Sequence, residues 1–538
     1  MIALSLSIGL LQFAAPPYLA HATPSWSSPI LVDPEPYHAT DILTSSAQLS
    51  NGTIVLTWQS NRNGANGRTD VFYKSYSNSV WSGDTSLTSN GWNSGPSLVQ
   101  FLNGTIMVVW AYKAQGNYVL YSTSNSNGHS WSSPTRVTST TLNDTQPSAA
   151  VGRDGTVWLV WTRVNSTNQS GPAGRQLYYK TWKSGVWAPE VQLTNDANQN
   201  FGSSVTITKD GTVWVAWSKG VAGNNYQIYY KTFNGITWTS DTPLTTSSSS
   251  QSDEHPSLLQ DRNGTLWLFW GRIIIVSTLI QYYDLFSKYS YNLGQSWSSD
   301  SDMTNNSAAG TVDSQMPSAI QSTIGVKPIW VFYSSNLNVN DLDIYAMTSS
   351  GIGPVHDVTI SGISSSNNLG TNWEYPGGLR SVGQSAIVTI TVTIQNIGDY
   401  LETATMTLTA KNTTNITIGT SSSLIGPGNA INFYYYWNTT NVNPARYGLT
   451  AAIAALPGES LGNMGDNTFA VSNRVHIIPL GDIDQDGNID ANDASVAIFD
   501  YGATPGSPRW NPYVDIQNNG FIDANDISFI IFHYGTFT

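Results

Sequence analysis

The chain has 538 residues, of which 11% are charged and 12% aromatic; its net charge is −13 and it has no cysteine. That length predicts three or four domains rather than one. The acidity argues against nucleic acid, which needs a basic footprint, and the missing cysteine excludes disulfides, thiolate metal sites and cysteine nucleophiles.

Ile2 to Ala15 is an apolar run, and Ala20-His21-Ala22 supplies a small-x-small cleavage pattern. Residues 1–22 therefore read as an export signal, although no Lys or Arg precedes the apolar run. No later stretch reaches the ~18 apolar residues of a membrane span. The expectation is a secreted or cell-surface protein without a transmembrane anchor after cleavage, and an exported chain lacking cysteine fits a prokaryotic source.

A repeat of about fifty residues fills the next part of the chain. A strand ending in Trp follows an Asn-Gly or Asp-Gly turn, from Asn51-Gly52 to Trp58, Asn103-Gly104 to Trp110, Asp154-Gly155 to Trp161, Asp210-Gly211 to Trp217 and Asn263-Gly264 to Trp270. Pro328 to Tyr333 is a degraded sixth copy. Such a pair is a hairpin signal, and the alternating apolar run after it is a strand. Pro-Ser pairs (Pro96-Ser97, Pro147-Ser148, Pro256-Ser257, Pro317-Ser318) mark the start of a preceding strand. A Tyr-rich third strand follows, and a fourth opens with Trp81, Trp131, Trp187, Trp238 or Trp297. Four strands per unit at this period mean a propeller blade. The sixth copy lacks its fourth strand, and Trp26-Ser27-Ser28-Pro29 resembles Trp131-Ser132-Ser133-Pro134. The first strand of the mature chain should therefore close the ring, giving a six-bladed β-propeller over residues 23–350.

Ser124 to Trp131 and Ser290 to Trp297 resemble the Asp-box of the sialidase (neuraminidase) superfamily, with Ser126 and Asn292 in place of the Asp. By strand order, the loops entering first strands and leaving second strands share one face. The polar residues there are the candidate ligand contacts: Asp144, Gln146, Arg163, Asp253, Glu254, His255, Arg272 and Asp313. Arg pairs bidentately with carboxylate, and paired carboxyls perform glycosidic acid/base chemistry. The resemblance implies a glycan ligand or substrate. The family's early Arg motif is missing between Pro29 and Thr44, however, and no catalytic residue is assigned.

Residues 351–478 lose the repeat. Ala386 to Ile394 alternates strictly, as a half-buried strand does. A turn at Asn396 to Asp399 leads to a return strand at Ala404 to Thr409, and Ile431 to Trp437, Tyr447 to Ala455 and Phe469 to Ile478 add further strands. This reads as an immunoglobulin-like β-sandwich. Its turns after Gln395-Asn396 and at Pro427-Gly428, with the strand end Trp437-Asn438-Thr439, resemble CARDB-type domains of prokaryotic surface proteins.

Residues 479–538 carry two matched twelve-residue loops, Asp482 to Asp493 and Asp515 to Asp526. Calcium takes six to eight oxygens, and such a loop offers them from positions 1, 3, 5, 7, 9 and 12, with Gly at position 6 for the sharp turn. The first set is Asp482, Asp484, Asp486, Asn488 (through its carbonyl), Asp490 and Asp493. The second is Asp515, Gln517, Asn519, Phe521 (through its carbonyl), Asp523 and Asp526. A helix follows each loop, with apolar faces Ala494, Ala497, Ile498, Tyr501 and Ile527, Ile530, Ile531, Tyr534 at i, i+3, i+4, i+7. The first loop holds more carboxylates and should bind Ca2+ more tightly.

Loop and helix twice over resembles a type I-like dockerin, a small α module with two calcium loop–helix motifs. That resemblance implies a cohesin-like protein partner through loop positions 10 and 11, here Ala491-Asn492 and Ala524-Asn525. Two functions stay open: a glycan-binding or glycan-cleaving effector tethered by its tail, with a role in polysaccharide breakdown, or a noncatalytic adhesion or display protein.

Overall fold

The computed structural model describes residues 25–535 except 35–38, 64–67, 102, 115, 125–127, 129, 141, 165–173, 222–224, 247, 249–250, 278–279, 307–311, 324–326, 338–340, 352–353, 368–379, 384–386, 485, 487, 512 and 518. The predicted export signal lies outside the described residues.

The chain is mainly β. Its first part forms six antiparallel sheets of four or five strands. Their first strands are Asp41–Gln48, Asn93–Gln100, Asn143–Val151, Asn200–Ile207, Gln251–Gln260 and Ser314–Gln321. Each packs against the next, and the last against the first, closing a propeller-like ring. The seam is made by the leading segment: Ile30 and Leu31 pair with Ala346 and Tyr345, and Trp26 bridges Ser349. Closure covers sheet edges that would otherwise offer unpaired amides. Trp26 then turns its ring edge-on to Trp267 and Phe269 in the neighbouring blade, at 6.1 and 5.7 Å.

The recurring Trp is core. Trp58, Trp110, Trp161, Trp217 and Trp270 are fully buried, and Tyr333 takes the place in the last blade. Three of the indoles donate to first-strand side chains, Trp110 to Asn93 (2.8 Å), Trp217 to Asn200 (2.7 Å) and Trp270 to Asp253 (2.9 Å). Removing a buried aromatic of this size costs about 3–5 kcal/mol. In the turn from Ser290 to Trp297, Asn292 Oδ1 accepts the Ser296 amide at 2.9 Å, and Ser290 Oγ accepts the Gly294 amide at 2.9 Å. A Cβ on Gly294 would stand 2.3 Å from the Trp214 ring of the adjacent blade, so the turn tolerates only glycine there.

The second part has a three-stranded sheet (Val358–Asn367, Ile387–Asn396, Ala430–Asn438) and a five-stranded sheet (Arg380–Gly383, Glu402–Lys411, Asn415–Ile425, Ala445–Ile453, Thr468–Ile478). Alternation fills the space between them: Val388, Ile390, Val392 and Ile394 face Ala404, Met406, Leu408 and Ala410 in one core. The expected hairpin at Asn396 to Asp399 is not one. Ile387–Asn396 pairs with Val358–Asn367 and Ala430–Asn438, whereas Glu402–Lys411 belongs to the other sheet. The Gly398 amide bonds to the Asp357 carbonyl (2.9 Å) and the Asp399 amide to that of Val355 (2.8 Å), which carries the chain across the core. Two strands with strong apolar faces gain more by facing each other than by lying side by side.

The tail holds two helices, α1 (Ala491–Asp500) and α2 (Ala524–Phe532). Its small core is Ile483, Ile489, Ala497, Ala503, Val514, Ile522 and Ile530. The position-8 residues Ile489 and Ile522 brace the opposite motif: the Gly535 amide donates to the Ile489 carbonyl (2.8 Å), and the Gly502 amide to that of Ile522 (2.9 Å). Only half of each expected apolar face is buried. Ala494 and Ala497 face inward, while Ile498, Tyr501, Ile531 and Tyr534 are half or more exposed. With a single partner helix, each helix buries a narrower stripe than its pattern offers.

Candidate functional site

Each first strand of the ring carries a β-bulge at one position, and the six bulges meet on the axis. The residue that opens each bulge has positive φ: Leu43, Gly95, Gln146, Gly202, His255 and Met316, at 50–61°. Two residues later stands a serine, and its Oγ accepts an amide of the next blade. Leu98 donates to Ser45 (2.9 Å), Ala149 to Ser97, Val205 to Ser148, Leu258 to Ser204 and Ala319 to Ser257 (each 3.0 Å). At the closing seam, Ser46 and Ser318 approach to 3.5 Å. The Pro-Ser pairs thus lie inside their strands, not at the start, because the bulge rather than the strand end needs them. The bulged segments line an axial recess of about 180 Å³.

Behind His255, which lines this recess, a cluster spanning blades three to five has distinctive chemistry. Phe201 is its hub: Arg175 lies over its ring at 5.0 Å, and Tyr226 and His255 meet it edge-on at 4.8 and 5.9 Å. Arg175 and Tyr226 open third strands, and Glu254 and His255 lie in the bulge of blade five. His255 fits because Gly202 has no Cβ; one there would stand 3.1 Å from Nδ1. Burial, helped by Arg175, pulls the His255 pKa down to about 4, so the imidazole is neutral at pH 7. Burial also raises the Glu254 carboxyl, with Asp253 adding to it, although Ser252 and Arg175 pull the other way. The closest polar neighbours of Glu254 are Ser252 Oγ at 3.4 Å and His255 Nε2 at 4.0 Å. Burial, then Glu254 and Asp313, raise the Tyr283 hydroxyl. Among the described residues, Arg175 has no carboxylate within ion-pair distance.

The candidate arginines Arg163 and Arg272 are spent within their own blades. Arg163 takes Asp144 with Nε–Oδ1 2.7 Å and Nη2–Oδ2 3.0 Å, and Glu190 at 2.7 and 3.1 Å, while lying over Tyr178 at 4.2 Å. Arg272 repeats this with Asp253 (2.6 and 3.0 Å), Asp300 (2.7 Å) and Phe286 (4.4 Å). Arg62 does so with Asp41, Asp33, Asp84 and Phe72, and Lys219 with Asp196, Asp241 and Tyr229. Arg163, Arg272 and Lys219 tie the strands of their blades together, and Arg62 also reaches Asp33 of the segment that closes the ring. Arg163 holds Glu190 below the usual carboxylate range, and Lys288 and Arg272 hold Asp300 there against its burial.

Of the predicted ligand contacts, Gln146 and His255 line the recess and Glu254 stands next to His255 in the same bulge, while Asp144, Arg163, Asp253 and Arg272 form buried pairs. Asp313 accepts the Tyr283 amide at 2.9 Å. Sequence reasoning missed Arg175, Phe201, Tyr226 and Tyr283. It also missed the acids of the clamps, although Asp84, Glu190, Asp241 and Asp300 each stand three residues after a fourth-strand Trp.

The tail loops differ although their sequences match. Carboxylate oxygens of Asp482, Asp484 and Asp486 lie within 4.8 Å of one another. Two like charges at that distance repel by about 1 kcal/mol in water and by about 3 kcal/mol or more near a protein surface. Burial and the neighbouring Asp493, Asp486 and Asp490 accordingly raise Asp484. This all-oxygen anionic donor set fits a hard divalent cation. In the second loop, Asp515 accepts the amides of Asn519 (3.0 Å) and Gly520 (2.8 Å), and Gln517 Oε1 accepts Asn519 Nδ2 (3.2 Å). Behind both loops the last acid anchors the backbone. Asp493 accepts the Ile483, Asp484 and Asp490 amides, and Asp526 those of Gln517 and Asp523. With Asp490 and Asp523 they form capping boxes on α1 and α2. The amides of Asn488 and Phe521 donate to Asp486 and Asn519, each at 2.8 Å.

No family model matches the chain, and no curated protein matches it. Solved structures similar to it include a protein of unknown function from Dyadobacter fermentans, at TM-score 0.49 and 14% identity, with 61% of this chain and 99% of that one covered. An α-L-arabinofuranosidase of Fusarium graminearum matches at TM-score 0.44 and 13% identity, covering 60% and 97%. A Hadza microbial sialidase matches at 0.41 and 13%, covering 58% and 66%.

Proposed function

We propose that the ring binds an extracellular glycan at the Phe201 cluster beside its axial recess and that a calcium-loaded tail tethers it. The observation that carries the ring's part is Arg175 over the Phe201 ring, with no carboxylate in ion-pair contact among the described residues. Near it stand Glu254, whose carboxyl burial raises, and the neutral imidazole of His255. Sugars are bound by such sets, with aromatic faces for C–H surfaces and polar groups fixing orientation. Binding is favoured over cleavage, because glycosidic hydrolysis uses two carboxyls flanking the bond and Asp144 and Asp253 are committed to guanidinium pairs.

In this reading the middle unit is an immunoglobulin-like, CARDB-like spacer and the tail is dockerin-like, facing a cohesin-like partner. Asp482, Asp484, Asp486, Asn488, Asp490 and Asp493 would hold one Ca2+, and Asp515, Gln517, Asn519, Phe521, Asp523 and Asp526 a second. Bound Ca2+ supplies positive charge that offsets the gathered carboxylates and fixes the loops from which α1 and α2 start. The protein would work outside the cell, after export.

A glycan array probed with the full-length protein tests the ring's role. Arg175→Ala and Glu254→Gln should each weaken the strongest signal by about 10- to 100-fold, the worth of one or two charged hydrogen bonds, while the fold is kept. Unchanged array profiles for both variants would refute the assignment, and sugar release from the bound glycan would replace binding by catalysis.

A further inference from the structure

The ring and the sandwich meet through a row of charges. On the ring, the hairpin turns between first and second strands carry Arg153, Lys209 and Arg262, and Lys327 stands at the corresponding place in the last blade. Arg153 bonds to Thr359 Oγ1 and the Ile360 carbonyl and lies 3.6 Å from Asp466. Lys209 donates to Asp357 (2.5 Å), Asn463 (2.7 Å) and the Arg262 carbonyl (3.0 Å). Arg262 and Lys327 both take Asp399, each at 2.5 Å. The backbones touch: a Cβ on Gly462 would stand 2.3 Å from the Gly264 carbonyl oxygen, and one on Gly465 2.7 Å from Asp210 Cβ.

The charges at the centre of this joint do not balance. Two of the ring's cations go to Asp399 alone, and Lys209 goes to Asp357. Asp466 is left with Arg153 at 3.6 Å, and among the described residues Glu459 has no cation in ion-pair contact. Asp357, Glu459, Asp466 and Asn467 are 1, 7, 3 and 4% exposed, and each has one buried oxygen without a hydrogen-bond partner. Four buried acceptor oxygens without a donor are costly. A proton on one carboxyl converts an acceptor into a donor and removes the excess charge.

We propose that the joint holds one proton, on Asp466 beside Asp357, and that losing it loosens the sandwich from the ring. Burial, then Asp357, pushes Asp466 up to about 7, and burial raises Asp357 despite Lys209. The groups around Asp466 are Asp357 and Thr359 at the start of the strand Val358–Asn367, Arg153 and Lys209 from the ring turns, and Glu459 and Asn467 from its own connection. Asp210 backs onto Gly465. Arg262, Lys327, Asp399, His356 and Glu402 lie farther along the joint, and Arg474 and His476 sit toward the far end of the strand Thr468–Ile478. A carboxyl raised on folding binds more protons folded than unfolded between about 4 and 7. Its stabilisation is therefore whole at acid pH and is lost as pH rises through 7, with a slope of up to tenfold in the folding constant per pH unit.

The test is equilibrium denaturation of the full-length protein from pH 5 to 8.5 at fixed saturating calcium, comparing wild type with Asp466→Asn. The variant carries the donor permanently and should shed the slope, so that its folding constant gains on the wild type by up to tenfold per unit as pH rises toward 7. Equal slopes in both proteins would overturn the proposal. If the variant does not fold, the wild type gives a second reading: a buried carboxylic-acid carbonyl band in infrared difference spectra should disappear near pH 7. A spectrum with no such loss overturns it equally.

Discussion

Arg163 and Arg175 sit on adjacent rungs of the same strand pair, where Arg163 faces Gln176 and Val164 faces Arg175. One is buried under two carboxylates and a tyrosine; the other lies over a phenylalanine, near Glu254 but in ion-pair contact with no carboxylate among the described residues. The ring thus contains closed charge, which holds blades together, and open charge, which is available to a ligand. In the tail, carboxylates of Asp482, Asp484 and Asp486 gather in the first loop, whereas in the second Asp515 accepts the amides of Asn519 and Gly520. Sequence type does not separate the two states. What separates them is whether a strand three residues beyond a Trp, or an amide in the same loop, brings a partner within reach.

The sharpest way to break the comparison is to open a closed charge. Asp253→Ala leaves Arg272 buried without its first-strand acid and Trp270 without its acceptor, and should cost about 3–5 kcal/mol in chemical denaturation. A loss under about 1 kcal/mol would mean that the clamp is not structural. Next comes the tail. In calorimetric titration of the full-length protein, Asp484→Ala should weaken the tighter calcium site by roughly 10- to 100-fold, and Gln517→Ala should leave that site alone. If the Gln517 variant loses the tighter site, the order of the two loops is reversed.

The recess predicts a graded pH effect. His255 has its folded pKa depressed, so the unfolded chain binds more protons between about 4 and 6.5, and stability should fall as pH drops through that window. His255→Gln should flatten this decline, and an unchanged pH profile would place the imidazole in water. The smallest effect belongs to an ion pair in solvent. Lys183 and Asp154 lie 2.7 Å apart but more than half exposed, so Lys183→Ala should be indistinguishable from wild type in thermal melts.

Much of this was legible in advance. The Asn-Gly and Asp-Gly turns, the terminal Trp and the Tyr-rich third strands predict blades because turn chemistry and alternation are local. The closing role of Trp26 followed from counting fourth strands. The matched acids of the tail are spaced by the geometry of one short loop. The sandwich was read in outline, but Asn415–Ile425 escaped notice: this Ser- and Thr-rich edge strand has almost no buried side chains to give it a pattern. The hairpin at Asn396 failed because alternation tells which face is apolar, not which neighbour it meets.

From the sequence by itself came the repeat, the ring's closure, the helix starts and the identity of the oxygen-rich loops, all set by contacts between residues near in the chain or repeated along it. Only the tertiary structure decided which charges are spent. Arg163 meets Glu190 across a whole blade, Glu254 and Arg175 converge from different blades, and Asp466 meets Arg153 across the joint. A side chain's charge is neutralised by what lies within a few ångströms, and for these groups folding alone brings those neighbours in.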